Sequence, residues 1–201
     1  AGIYTDDLAT LGSGVADNSF SLDTRLVYTP KFGGVNWHFG ASGHHRELND
    51  LANTVRYRAR PGARTTDVRF VDTSAFSATA ETGYGVEFAA QHGPLHVTAE
   101  GFWQKVARPG LQDPTFFGAY AEIGYVFAGG GIRPLNDGAF GTITSPHGLD
   151  KGGFGTWQIN LRHDWLDLTD SGIRGGTQRT LGTSLVWVRM SHGKFMAEFL
   201  H

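Results

Sequence analysis

Apolar and polar residues alternate along most of this chain. In 19–29, Phe20, Leu22, Thr24, Leu26 and Tyr28 fall on one side, and Ser19, Ser21, Asp23, Arg25 and Thr29 on the other, with Val27 out of step. The stretch 35–46 sets Val35, Trp37, Phe39 and Ala41 against Asn36, His38, Ser42, His44 and Arg46. The same rhythm runs through 80–91, 95–105, 117–127, 157–165 and 181–187, and the closing "KFMAEFLH" still keeps it. Successive side chains of an extended strand point to opposite faces, so a period of two predicts strands throughout.

The length and chemistry of these segments narrow the fold. Many run for about nine to thirteen residues, where ordinary globular strands have about five or six. A tilted strand needs about 9–11 residues to cross a bilayer. Aromatics gather toward the ends of the apolar faces, Phe117 with Tyr125 and Phe127, and Trp157 with Trp165. Such girdles mark the two membrane interfaces. The opposite faces carry carboxylates, arginines, amides and histidines, which a dry sandwich core tolerates only when paired but a water-filled lumen accepts. The prediction is an all-β chain, an antiparallel meander of a transmembrane β-barrel, with about nine or ten strands present, in preference to a soluble sandwich or lipocalin-like barrel. The short links "TPKFGG" (29–34), "QHGP" (91–94) and "MSHG" (190–193) read as tight turns of one rim. Longer links at 48–79, 105–115, 128–153 and 168–178 are expected on the opposite rim.

Composition removes other classes. The net charge of −2 offers no field for nucleic acid. With no cysteine, a disulfide framework and a thiolate metal site are excluded. No apolar run is long enough for a transmembrane helix, which leaves barrel strands untouched.

Against this near-neutral background, "TVRYRARPGAR" (54–64) stands out. Arg56, Arg58 and Arg60 occupy every second position and Arg64 follows four further on. In an extended segment the first three point the same way, and their mutual repulsion calls for water, carboxylates or an anionic ligand. From the residues alone the run reads either as an edge strand that uses charge against aggregation or as an anion site.

Five blocks carry a family resemblance: "RYRARPGARTTDVRFVDT" (56–73), "GPLHVTAEGFW" (93–103), "FFGAYAEIGYVFAG" (116–129), "IRPLNDGAFG" (132–141) and "WQINLRHDWLDL" (157–168). Their sequence and order resemble the second half of the phosphate-selective porins O and P, over about residues 1–201. The resemblance implies an outer-membrane channel of a Gram-negative bacterium, a homotrimer of 16-stranded barrels in the lipid bilayer that passes phosphate, polyphosphate or other inorganic anions. It implies no enzyme activity, cofactor, metal or nucleic-acid partner. It also assigns Arg56, Arg58, Arg60 and Arg64, with Arg69 as a companion, to an arginine ladder that leads the anion into the pore. The segment 54–64 is then expected in a long link folded into the pore, and Arg108 in an outer loop. Residues 1–201 read as a single barrel domain, a fragment lacking N-terminal strands and the last strand. Two other functions stay open, a general small-solute porin and a scaffold barrel within a larger envelope assembly.

Other constellations are weaker. His38, His44 and His45 could suggest a metal, but His44 and His45 point to opposite faces and His38 lies about 20 Å from His44 along a strand. Glu81 with Glu87, or Glu100 with Glu122, could suggest a two-carboxylate hydrolase, yet are better read as lumen carboxylates balancing Arg25, Arg46 and Arg162. "AGGGIR" (128–133) lacks the context of a phosphate-binding loop and reads as a plain loop.

Overall fold

The computed structural model describes residues 1–5, 19–48, 53–62 and 66–201. Strands β1 (Gly2–Thr5), β2 (Phe20–Tyr28), β3 (Lys31–Phe32) and β4 (Val35–Glu47) lead into a long link with four two-residue strands. These are β5 (Thr54–Val55), β6 (Arg58–Ala59), β7 (Val71–Asp72) and β8 (Phe76–Ser77). Three long strands follow, β9 (Ala80–His92), β10 (Leu95–Ala107) and β11 (Thr115–Ala128). A second link holds β12 (Leu135–Asn136), β13 (Ala139–Phe140) and a 3-10 turn at Leu149–Lys151. The chain finishes with β14 (Thr156–Asp170), β15 (Ile173–Met190) and β16 (Gly193–Leu200). Among the described residues no helix is long and apolar enough to cross a membrane.

One antiparallel meander of ten strands organises these elements. Its order is β1-β2-β4-β9-β10-β11-β14-β15-β16, with β3 paired to β4, and the sheet does not close on itself. The expected all-β meander and its strand number are therefore present.

Register decides which residues share a face. Ala41, Val86, Gly101 and Ala119 lie opposite one another in successive strands, as do Ser42, Gly85, Phe102 and Gly118. Followed across the sheet, Leu22, Leu26, Phe39, Val86, Ile123, Ile159, Leu161 and Leu185 form one exposed apolar face. Aromatics bound it at both rims. Trp157 stacks on Trp187 at 5.2 Å, and Trp187 on Phe195 at 5.7 Å. At the other rim Trp103 meets Phe117 at 5.2 Å, which meets Trp165 edge-on at 5.7 Å. Trp157 and Trp165 are eight residues apart on one strand, roughly 26 Å along its length, close to the apolar band of a membrane barrel.

The rims differ from expectation. The link 129–155 leaves β11 on the rim that carries the tight turns 29–34, 93–94 and 191–192, not on the opposite one. The stretch 168–178 is no loop either. β14 runs to Asp170 and β15 starts at Ile173, joined through Ser171 (φ 47°) and Gly172 (φ 83°). Positive φ at both central residues is the signature of a type I′ hairpin, whose twist matches that of the strands. Gly175 in this stretch serves close packing, since a Cβ there would lie 2.5 Å from the carbonyl oxygen of Leu168.

Both long links fold back over the polar face. Residues 53–62 and 66–78 form a strap in which β5 pairs with β8 and β6 with β7. Its apolar residues meet the sheet in a dry cluster of Val71, Ala78, Val106, Phe116 and Leu168, flanked by Val55, Tyr57, Ala59 and Phe76. The polar face is thus the inner face, covered at one rim by the strap and at the other by the link 129–155.

Candidate functional site: a cationic strap over a mixed-charge wall

The strap inherits its orientation from its own alternation. Val55, Tyr57 and Ala59 pack toward the sheet, while Arg56 and Arg58 between them are exposed. Tyr57 is the principal anchor. Its ring lies 5.2 Å from that of Phe116 and 6.3 Å from that of Phe76, and its hydroxyl donates to Glu81. Burial first, then the Glu81 carboxylate, push the phenol above its ordinary range. The backbone is tied as well, Tyr57 N donating to Thr73 Oγ1 at 2.9 Å and Thr73 N to Tyr57 O at 2.9 Å.

The four described arginines of the strap have unequal freedom. Arg56 is held by Asp72 in a two-point ion pair, with Nε donating to Oδ1 at 2.8 Å. That hydrogen bond holds the Asp72 carboxyl down to about 2 and raises the guanidinium. Arg60 donates to Asp67 at 2.7 Å, while Asp67 stays 97% exposed. Arg60 lines a recess of about 390 Å³ on the wall with Arg162, Asp164, Gln178 and Glu198. Arg69 turns back to the carbonyl of Asp67 at 3.1 Å. Among the described residues Arg58 makes neither ion pair nor hydrogen bond. Arg64 lies outside the described residues. The segment folds onto the inner face as a long link, and its arginines do not line one strand but hang from a strap. Arg108, expected in an outer loop, packs over Phe76 of that strap at 5.6 Å and donates to Ser171 O at 3.3 Å.

Beneath the strap the wall carries both signs of charge. Glu87 accepts from Arg25 at 2.7 and 2.5 Å and meets His38 Nε2 at 3.0 Å. Arg162 binds Asp164 at 2.7 Å, approaches Glu122 at 3.8 Å and lies 3.7 Å over the Tyr120 ring. Arg46 reaches Glu81 at 3.8 Å. The carboxylates do balance Arg25, Arg46 and Arg162. Glu87 and Glu100 face each other in register, a like-charge pair that sequence spacing did not reveal. They turn apart, Glu87 to Arg25 and Glu100 to the Tyr120 hydroxyl at 2.6 Å. The histidines are dispersed, His44 meeting Asp23 at 2.5 Å, and His45 meeting Thr82 and Glu47.

Sequence reading missed Arg133. The loop "AGGGIR" carries it onto the inner face, where it lies 3.3 Å from Glu122 and 3.3 Å from His96 Nε2, and 5.0 Å over the Phe140 ring. The signal was present in "NDGAF", where Asp137 (φ 48°) and Gly138 (φ 80°) make a tight hairpin that brings Phe140 back over His96 at 5.2 Å.

An open antiparallel sheet with one apolar, girdled face and one charged face, narrowed by an in-folded strap, defines a stretch of outer-membrane porin wall. Comparison with known proteins agrees. The family model described as phosphate-selective porin O and P matches residues 1–201, and the chain belongs to that family. An uncharacterized protein of Caulobacter vibrioides is 37% identical over 202 residues, covering 96% of this chain and 41% of that protein. The chain thus spans under half the length of this relative.

Proposed function

We propose that this chain supplies part of the wall and the selectivity strap of a water-filled outer-membrane channel for anions, phosphate or polyphosphate among them, in a homotrimeric barrel of a Gram-negative envelope. The observation that carries the reading is the uncompensated charge of the strap. From 53 to 79 the sequence holds five arginines and two aspartates, a net +3, while the wall arginines below are matched with carboxylates. The positive potential on this part of the lumen therefore comes from the strap.

A permeating anion loses part of its hydration in a narrow lumen, and guanidinium groups replace it with charge-assisted hydrogen bonds, bidentate where geometry allows. Arg58 is the open station, and Arg60, Arg56, Arg64 and Arg69 flank it as partial ones. Several shallow wells in series let the ion leave, where one deep well would trap it. No bond is made or broken, so passage requires no nucleophile or base.

The test is electrical, on the complete barrel in planar bilayers. Zero-current potentials in potassium chloride gradients should show anion preference, and added phosphate should block chloride current. Anion preference without phosphate block would favour a general small-solute porin. An inserted protein without conductance would favour a scaffold in an envelope assembly.

A further inference from the structure

The second in-folded link is held to the wall through Arg133. Arg133 Nη1 lies 3.3 Å from His96 Nε2 and 3.3 Å from Glu122 Oε1, while His96 and Glu122 are 3.8 Å apart. His96 is 1% exposed, and its Nδ1 has no partner among the described residues. A guanidinium only donates, so Nε2 accepts from Arg133 in the tautomer whose proton sits on Nδ1. Gly124 makes the fit possible, because any Cβ there would collide with the His96 ring. The rest of the link is seated by Leu135, only 3% exposed, and by Phe140 against His96.

We infer that His96, Glu122 and Arg133 form an acid-released latch that fastens the link 129–155 across the lumen. When His96 takes a second proton, Nε2 becomes a donor facing another donor at 3.3 Å. The new imidazolium then competes for Glu122, which also has Arg162 at 3.8 Å. Arg133 loses one acceptor and shares the other with two cations, so the link is loosened at acid pH. The charged and titratable groups that share a recess with Arg133 and Glu122 are Arg25 on β2, His38 on β4, Glu87 on β9, Glu100 on β10, Tyr120 on β11, Arg162 on β14, His192 in the β15–β16 turn and Lys194 on β16. His38 differs from His96 in one respect that matters. Its Nε2 faces a carboxylate at 3.0 Å, so it donates in either state and its protonation keeps the contact. His147 within the link and His192 at the β15–β16 turn are further histidines, which makes single substitutions necessary.

This inference rests on the channel reading for its electrical arm only. Conductance of the complete barrel in chloride should rise about twofold between about pH 7.5 and about pH 5, the window in which histidine changes charge. His96→Gln keeps an acceptor for Arg133 without a titrating proton and should abolish the rise, whereas His38→Gln should retain it. In parallel, a nitroxide on Thr142→Cys, at an exposed position of the link, should become more mobile over the same interval in a protein with His96 intact. If neither parent nor variants conduct, the channel reading fails and the nitroxide alone decides on the latch. An unchanged nitroxide spectrum, or a pH response that survives His96→Gln or disappears with His38→Gln, would overturn the latch.

Discussion

Asp72 holds the Arg56 guanidinium at two points, while Arg58, whose backbone lies opposite Asp72 in the strap ladder, has no carboxylate of its own among the described residues. Two arginines that look equivalent in sequence therefore differ in how freely their guanidinium groups could meet an anion. Arg58→Ala in the complete barrel should weaken phosphate block severalfold, since it removes a free charge-assisted donor, in gross terms about 1–3 kcal/mol. Arg56→Ala should do less. Arg58→Lys should fall between parent and alanine, because charge is kept and the planar fork is lost. Equal effects of Arg56→Ala and Arg58→Ala, read as block constants, would contradict this ranking.

Removing Asp72 should have the opposite sign. Asp72→Asn frees the Arg56 guanidinium and should shift the zero-current potential toward stronger anion preference at neutral pH. The Asp72 carboxyl titrates at about 2, below its ordinary 3.8. A carboxylate held below its ordinary range contributes fully above that range and loses its contribution as pH falls toward the lowered value. The difference between parent and Asp72→Asn should accordingly persist down to about pH 4 and shrink from there toward about pH 2. A difference already gone at pH 5 would mean that the ion pair does not limit Arg56.

The strap depends on Tyr57 for its position. Tyr57→Ala removes the ring that packs against Phe116 and Phe76 and should cost about 2–4 kcal/mol of local stability. Tyr57→Phe loses only the hydrogen bond to Glu81, about 1 kcal/mol. Trypsin reports this directly, because the strap is rich in arginine. Cleavage within 56–69 should accelerate strongly in Tyr57→Ala and slightly in Tyr57→Phe, with no change elsewhere in the barrel.

The two faces should differ in their tolerance of charge. Ile123 and Leu161 lie on the apolar face, 46% and 47% exposed, and arginine at either should cost roughly 2–4 kcal/mol near the bilayer midplane. Ser42, on the inner face beside a recess of about 520 Å³, should accept arginine for well under that. Gln158 is a poor comparison despite its inner position, because it is only 1% exposed. Folding equilibria in lipid vesicles would give the three differences, and equal losses at Ser42 and Leu161 would remove the basis for assigning the faces.

Much of this was legible along the chain. Side chains of a strand alternate with a period of two whatever surrounds them, so Leu22, Leu26, Ile123 and Leu161 could be assigned to one face and Arg25, Glu87 and Glu122 to the other before any pairing was known. Turn chemistry was less transparent. The stretch 168–178 reads as a longer link along the chain, yet glycine is common to loops, to type I′ turns and to close packing, and only its neighbours, among them Leu168, distinguish the three.

By itself, then, the sequence determined the strands, their two faces, the aromatic girdles, the arginine-rich segment and the family. Each of these is local, set by spacing, residue type or a contiguous motif. Tertiary structure alone decided that Arg56 is committed to Asp72 while Arg58 is not, that Glu87 and Glu100 face each other, and that Arg133 folds back onto the inner face beside His96. Those relations join residues 13 to 37 positions apart. They depend on register and on where each link folds back, and an electrostatic contact that acts over a few ångströms leaves no periodic trace in the chain.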